Sequence, residues 1–140
     1  RLAAGVLFVV LAGIAVTAWP PDVAPDGGWP LADAAAGRVL EVTGDEPFAL
    51  DGIPEFKNAN ALRFPLEWRE APVLPAVAAA TSGVVVVVCD PVFDEVVGAA
   101  CGGDAEDAWL AETGRGDLGL VDRFEAGPRR VISVYAAGVP

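Results

Sequence analysis

The chain has 140 residues, with 20 Asp and Glu against 9 Lys and Arg, no His, 2 Cys and a formal charge of −11 at pH 7. The absence of His removes the commonest general base, the Ser-His-Asp and Cys-His nucleophile pairs and every His-containing metal site. The acidic balance, with no basic cluster larger than Arg129-Arg130, excludes the electrostatic footprint that nucleic-acid binding requires.

Leu2 to Trp19 runs eighteen residues without a charge, and the only charge in the first nineteen is Arg1. As a helix this stretch measures about 27 Å, just enough for a bilayer core of about 30 Å. Arg1 on one side and the acidic remainder on the other predict a transmembrane span (1–19) with the rest of the chain outside the cytoplasm. Trp19 stands where an interfacial aromatic would, and Pro20-Pro21 ends the helix. Two other readings stay open: a signal peptide cleaved after Ala18, and a buried core helix, although the segment has no polar face. A chain that begins at Arg1 and contains no Met is expected to be preceded by further sequence.

Residues 20–29 are rich in Pro, Gly and Asp and read as a linker. The domain is expected over 30–140. Pro30 suits a first helical turn; Leu31, Ala34, Ala35, Val39 and Val42 recur at helical spacing, and Gly44 supplies the C-terminal cap. Pro47 to Leu50 reads as a short strand ending in Asp51-Gly52. Asn58 is placed to cap a short helix over Ala59 to Arg63. Phe64, Leu66 and Trp68 alternate with Pro65, Glu67 and Arg69 as in an exposed strand, which Pro65 would confine to an edge.

Leu74 to Ala80 reads as a short helix stopping at Ser82-Gly83. Val84 to Val88, five consecutive valines before Cys89, has the pattern of a strand covered on both faces. Asp90 and Pro91 open another helix that Gly102-Gly103 follows, Asp104 to Thr113 forms the next, and Val131 to Ala136 is a strand after the turn at Gly127-Pro128. Strands alternating with helices predict an α/β fold with a small, open, mainly parallel sheet flanked by helices.

Cys89 and Cys101, with eleven residues between them, are too few for a four-cysteine zinc site; they form either a disulfide, which an exported location permits, or two buried thiols. Asp90, Asp94 and Glu95, and likewise Asp104, Glu106 and Asp107, are carboxylates at helix starts, where capping and the helix dipole explain them without chemistry. Ligands of open α/β sheets bind outside the carboxyl ends of strands. That makes Asp51 and Asp90 candidate binding residues, with Lys57, Asn58 and Asn60 in the loop region after the first strand. Ordinary loop polarity explains the last three equally well. No Gly-rich phosphate loop follows a strand. Arg115-Gly116-Asp117 matches an integrin-binding tripeptide, but so short a match is ordinary loop chemistry.

Three segments, FALDGIPEFKNANALRFPLEWR, VVVVVCDPVFDEVVGAACGG and DRFEAGPRRVISVYAAG, lie in this order behind the apolar helix. Together they resemble the C-terminal extracytoplasmic domain of bacterial polytopic glycosyltransferases, the dolichyl-phosphate-mannose-type protein mannosyltransferases and their aminoarabinose-transferase-like relatives. The resemblance implies that Leu2 to Trp19 is the last of many membrane helices in a cell-membrane protein. Its partners would be lipid and the transmembrane part of the same polypeptide. Such enzymes move a sugar from a polyprenyl-phosphate carrier, in some cases with a divalent cation, onto a glycan or protein acceptor, using acidic residues of an early loop that this chain lacks. It implies no catalytic residue here, no metal and no cofactor in this segment. A singly anchored binding or sensor module and a secreted interaction protein are the competing expectations.

Overall fold

The computed structural model describes residues 2–17, 27–54, 59–90, 101–128 and 130–139. Helix α1, Leu2–Thr17, is apolar on every side, and its large side chains are exposed, Phe8 at 73% and Val16 at 76%. Thr17 ends it by donating its hydroxyl back to the Gly13 and Ile14 carbonyls, at 2.9 and 3.1 Å. The expected span to Trp19 is not seen whole, because Ala18 and Trp19 lie outside the described residues. Among the described residues no helix is long and apolar enough to cross a membrane.

Helix α2, Gly28–Thr43, begins two residues inside the expected linker and ends as predicted at Gly44, whose φ of +60° and N–H bond to the Leu40 carbonyl (2.9 Å) close the last turn. It buries Ala35, Ala36, Val39 and Thr43. Four strands follow among the described residues, β1 (Ala49–Ile53), β2 (Val84–Cys89), β3 (Gly119–Glu125) and β4 (Val131–Ala136), ordered β1-β2-β4-β3 in one sheet. Strand β1 runs parallel to β2, whereas β4 is antiparallel to both β2 and β3. The sheet is therefore mixed, which corrects the mainly parallel expectation. The reason is β3, a strand the sequence reading did not anticipate: only residues 126–130 join it to β4, and so short a connection permits only antiparallel pairing.

The six residues of β2 are all buried, as expected for a strand covered on both faces. Val84, Val86 and Val88 meet α2 and helix α3 (Asn60–Trp68), through Val39, Leu62 and Leu66. Val85, Val87 and Cys89 belong to the opposite core with Ala49, Ile53, Leu110 and Tyr135. Leu110 comes from helix α5, Asp104–Glu112, which covers that face; helix α4 is the single turn Ala76–Ala79. Each buried valine contributes about 1.5 kcal/mol or more, so β2 is the hydrophobic axis of both cores.

Two local expectations are corrected. Phe64 to Trp68 is the second half of α3, not an edge strand: Leu62, Pro65 and Leu66 form the buried stripe at helical spacing, and Phe64 and Trp68 are exposed. The capping role of Asn58 lies outside the described residues, and Ala59 occupies the N-cap position. Strand β1, expected from Pro47 and ending in Asp51-Gly52, begins at Ala49 and continues one residue past that pair to Ile53, and Phe48 forms an isolated bridge with Val73. The helix expected from Asp90 also falls outside the described residues beyond that first position.

Gly119 opens β3 against the C-terminal segment, where an added Cβ would sit 2.2 Å from the Val139 carbonyl oxygen. Gly119→Ala is expected to lower stability by about 1–3 kcal/mol, the usual range for overpacking. An unchanged urea midpoint would mean that residues 137–139 move aside freely.

Candidate functional site

A polar cleft of about 470 Å³ runs along the outer edge of β1, lined by Leu50, Asp51 and Gly52, by Asn60 and Arg63 of α3, and by Ala80, Trp109, Thr113 and Arg115. Alternation along β1 explains its two-sided character. Leu50 belongs to the core under α2 and α3, while its neighbours Ala49 and Ile53 belong to the core under α5. Asp51 therefore points toward α5.

There it meets Arg115, which follows the end of α5: Nη1 pairs with Asp51 Oδ2, and Nη2 donates to the Ala79 carbonyl at 3.2 Å. The Arg115 guanidinium lies 6.0 Å from the centre of the Trp109 ring, within cation–π range. Gly114, with φ of +76°, reverses the chain so that the Arg115 N–H bonds back to the Leu110 carbonyl at 2.7 Å. The Trp109 indole N–H is buried with no acceptor among the described residues. Across the cleft, Arg63 lies 4.0 Å from the Glu67 carboxylate and keeps about a third of its side chain exposed.

Of the expected binding residues, Asp51 and Asn60 meet in this cleft. Lys57 and Asn58 lie outside the described residues. Asp90 does not line the cleft; it follows β2, its N–H bonds the Ile53 carbonyl at 2.9 Å, and its carboxylate lies 3.7 Å from Arg130. Cys89 and Cys101 are joined in a disulfide, Cα to Cα 5.8 Å. Arg63, Trp109 and Arg115 were not singled out from sequence as site residues. The available signal was an arginine between two glycines just past a helix, in a chain with few cations.

A second polar constellation is buried under α5. Glu106, fully buried, accepts the Gly102 N–H at 2.8 Å on one oxygen and, on the other, the Tyr135 hydroxyl at 2.6 Å and Arg123 Nη2 at 3.3 Å. Arg123 also donates to Tyr135 Oη at 2.8 Å and to Ser133 Oγ at 3.0 Å. Burial first, then the bond to Glu106 and its negative charge, push the Tyr135 hydroxyl up to about 12. Because every Glu106 oxygen is occupied by the fold itself, this cluster is an internal fastening.

The raised Tyr135 value has a signed consequence. Between about pH 10 and 12 the unfolded tyrosine is ionised while the native one keeps its proton, so stability complete below pH 10 falls by about 2–3 kcal/mol as pH rises through that window. Tyr135 is the chain's sole tyrosine. Absorbance of tyrosinate should therefore appear near pH 12 in the native chain, and Tyr135→Phe should flatten the alkaline fall in urea midpoint. Titration near pH 10 in the folded chain would contradict the network.

Among the described residues the cleft holds cationic, anionic, aromatic and hydroxyl groups but no nucleophile beside a base, and no three His, Cys, Asp or Glu side chains gather as a cation site. Among the described residues the chain is an α/β domain, a mixed four-stranded sheet with helices on both faces and the cleft along its β1 edge. Compared with protein-family models, curated proteins and solved structures, the chain matches none.

Proposed function

We propose that this chain is the extracytoplasmic, non-catalytic domain of a membrane-embedded transferase that moves a sugar from a polyprenyl-phosphate carrier to an acceptor, and that the cleft beside β1 engages the acceptor. The observation that carries the membrane part is α1, a helix apolar on all sides whose large side chains stay uncovered by the rest of the chain. Such a surface is stable only in hydrocarbon or among other apolar helices. The Cys89–Cys101 disulfide suits an oxidising compartment outside the cytoplasm. A cleft rich in binding groups and poor in reactive ones fits a domain that positions substrate while other parts of the polypeptide supply the chemistry.

The test is sugar transfer from a polyprenyl-phosphate donor in membranes carrying the full-length protein. Arg63→Ala is expected to raise the KM for acceptor about tenfold while kcat changes little, the pattern of lost ground-state binding. Membranes with no transfer activity at all would sink the transferase reading. The described lining of the cleft comes from a single chain, and this favours a singly anchored binding module as the second reading; ligand binding without transfer would then be the outcome.

A further inference from the structure

We infer that the cleft takes an extended peptide, which adds to the open edge of β1 as a further strand; this rests on the acceptor-binding reading and names the acceptor's chemistry. The edge is already used once for strand pairing. Phe48 donates its N–H to the Pro72 carbonyl at 3.2 Å and accepts the Leu74 N–H at 2.9 Å, and Phe48 and Val73 form a parallel bridge. Main-chain groups alternate in direction along a strand, so Leu50 and Gly52 point to this same outer side. On the inner side the Ile53 carbonyl accepts the Asp90 N–H at 2.9 Å, which fixes that phase independently. No bond from the 72–74 segment continues to Leu50.

Leu50 is only 5% exposed and lines the cleft. A main-chain N–H and C=O held in so enclosed a place, with no pairing strand among the described residues, is a strong attractor for one. The cleft volume, about 470 Å³, is in the range of ligand pockets and lies along this edge. Its two walls supply the side-chain chemistry. Residues of an added strand would face alternately Arg63 and Asn60 of α3, and Trp109, Ala80 and the Asp51–Arg115 pair on the other side. Arg63, whose ion-pair partner among the described residues is Glu67 at 4.0 Å, selects an acidic side chain at the first kind of position. The indole of Trp109 selects an apolar one at the second. Gly52 carries no side chain to block the approach. Main-chain bonds supply affinity and the two walls supply specificity, as in other strand-addition sites.

The experiment is amide hydrogen exchange by NMR on the intact chain in lipid nanodiscs. The probes are a capped heptapeptide alternating valine and glutamate, the same peptide N-methylated at alternate residues, and mannotriose. The plain peptide is expected to slow exchange at Leu50 and Gly52 at least tenfold, N-methylation to abolish this, and Arg63→Ala to weaken binding roughly tenfold, the loss of one charge-assisted bond. Equal binding of the methylated peptide, or peptide binding that leaves Leu50 and Gly52 unprotected, overturns the strand inference. Mannotriose shifting the cleft amides when the peptide does not overturns it too, while leaving the acceptor-binding reading in place. Silence from all three probes removes the strand and the acceptor cleft together.

Discussion

Glu106→Ala is expected to cost about 3–5 kcal/mol of unfolding free energy, the range for removing one partner of a buried ionic network. Glu106 has no exposed surface and accepts from Gly102, Tyr135 and Arg123. Its removal leaves the Gly102 N–H and the Tyr135 hydroxyl short of an acceptor and Arg123 short of its counter-charge. A domain of this size is typically stable by only about 5–15 kcal/mol, so the loss is a large share of the total. Glu106→Gln keeps the shape and one acceptor oxygen but turns an NH₂ toward donors, and should cost about 1–3 kcal/mol. Urea unfolding followed by tryptophan fluorescence measures both. If Glu106→Ala loses under 1 kcal/mol, water replaces the carboxylate and the network is not a fastening. The same substitution should loosen the cleft, since Trp109 sits one turn further along α5 and Arg115 follows its end.

How far residues announce their structure differs from element to element. The five valines of β2 and the Pro30 to Gly44 span of α2 were legible because local pattern and tertiary environment agree there. Phe64 to Trp68 misled because an alternation of apolar residues at 64, 66 and 68 also contains an i, i+4 pair, and Pro65 seemed to forbid a helix. In the structure Pro65 is buried on the same helix face as Leu62 and Leu66, so packing outweighs the missing N–H bond. Strand β3 was hidden by Asp122, Arg123 and Glu125, which an edge strand tolerates and which here serve contacts such as Asp122 with Arg38 at 3.1 Å. Without β3 the sheet's direction could not be read.

The candidate site was legible only in part. Asp51 and Asn60 could be named from their place near the first strand, but Arg115 reaches Asp51 across 64 positions, and no local pattern encodes that meeting. Glu106 is a different case. Three acids begin α5, and helical phase singles out the one four residues before Leu110 as the inward one. That signal was present in the sequence, masked by the sufficiency of the dipole explanation for all three.

Removing the Cys89–Cys101 link, by reduction or as Cys89→Ala with Cys101→Ala, is expected to cost about 3 kcal/mol, from the closure entropy of a loop of this length. The two cysteines are separated by 12 positions in sequence. Cys89 is fully buried at the end of β2, so alanine rather than serine is the informative replacement: a hydroxyl there would add a desolvation loss of its own. The link also acts beyond its loop. Cys101 immediately precedes Gly102, whose N–H is held by Glu106 and whose φ is +76°, so the disulfide and the carboxylate fix the same turn from opposite sides. Two fasteners on one turn should not be additive. With the disulfide gone, Glu106→Ala is expected to cost at least 0.5 kcal/mol less than it does in the oxidised chain, a coupling within the range seen for residues sharing a network. Four urea curves, for the oxidised and cysteine-free chains with and without Glu106, measure it. Strict additivity would mean that the turn at Gly102 is held by α5 alone and that the disulfide stabilises only by restricting the unfolded chain.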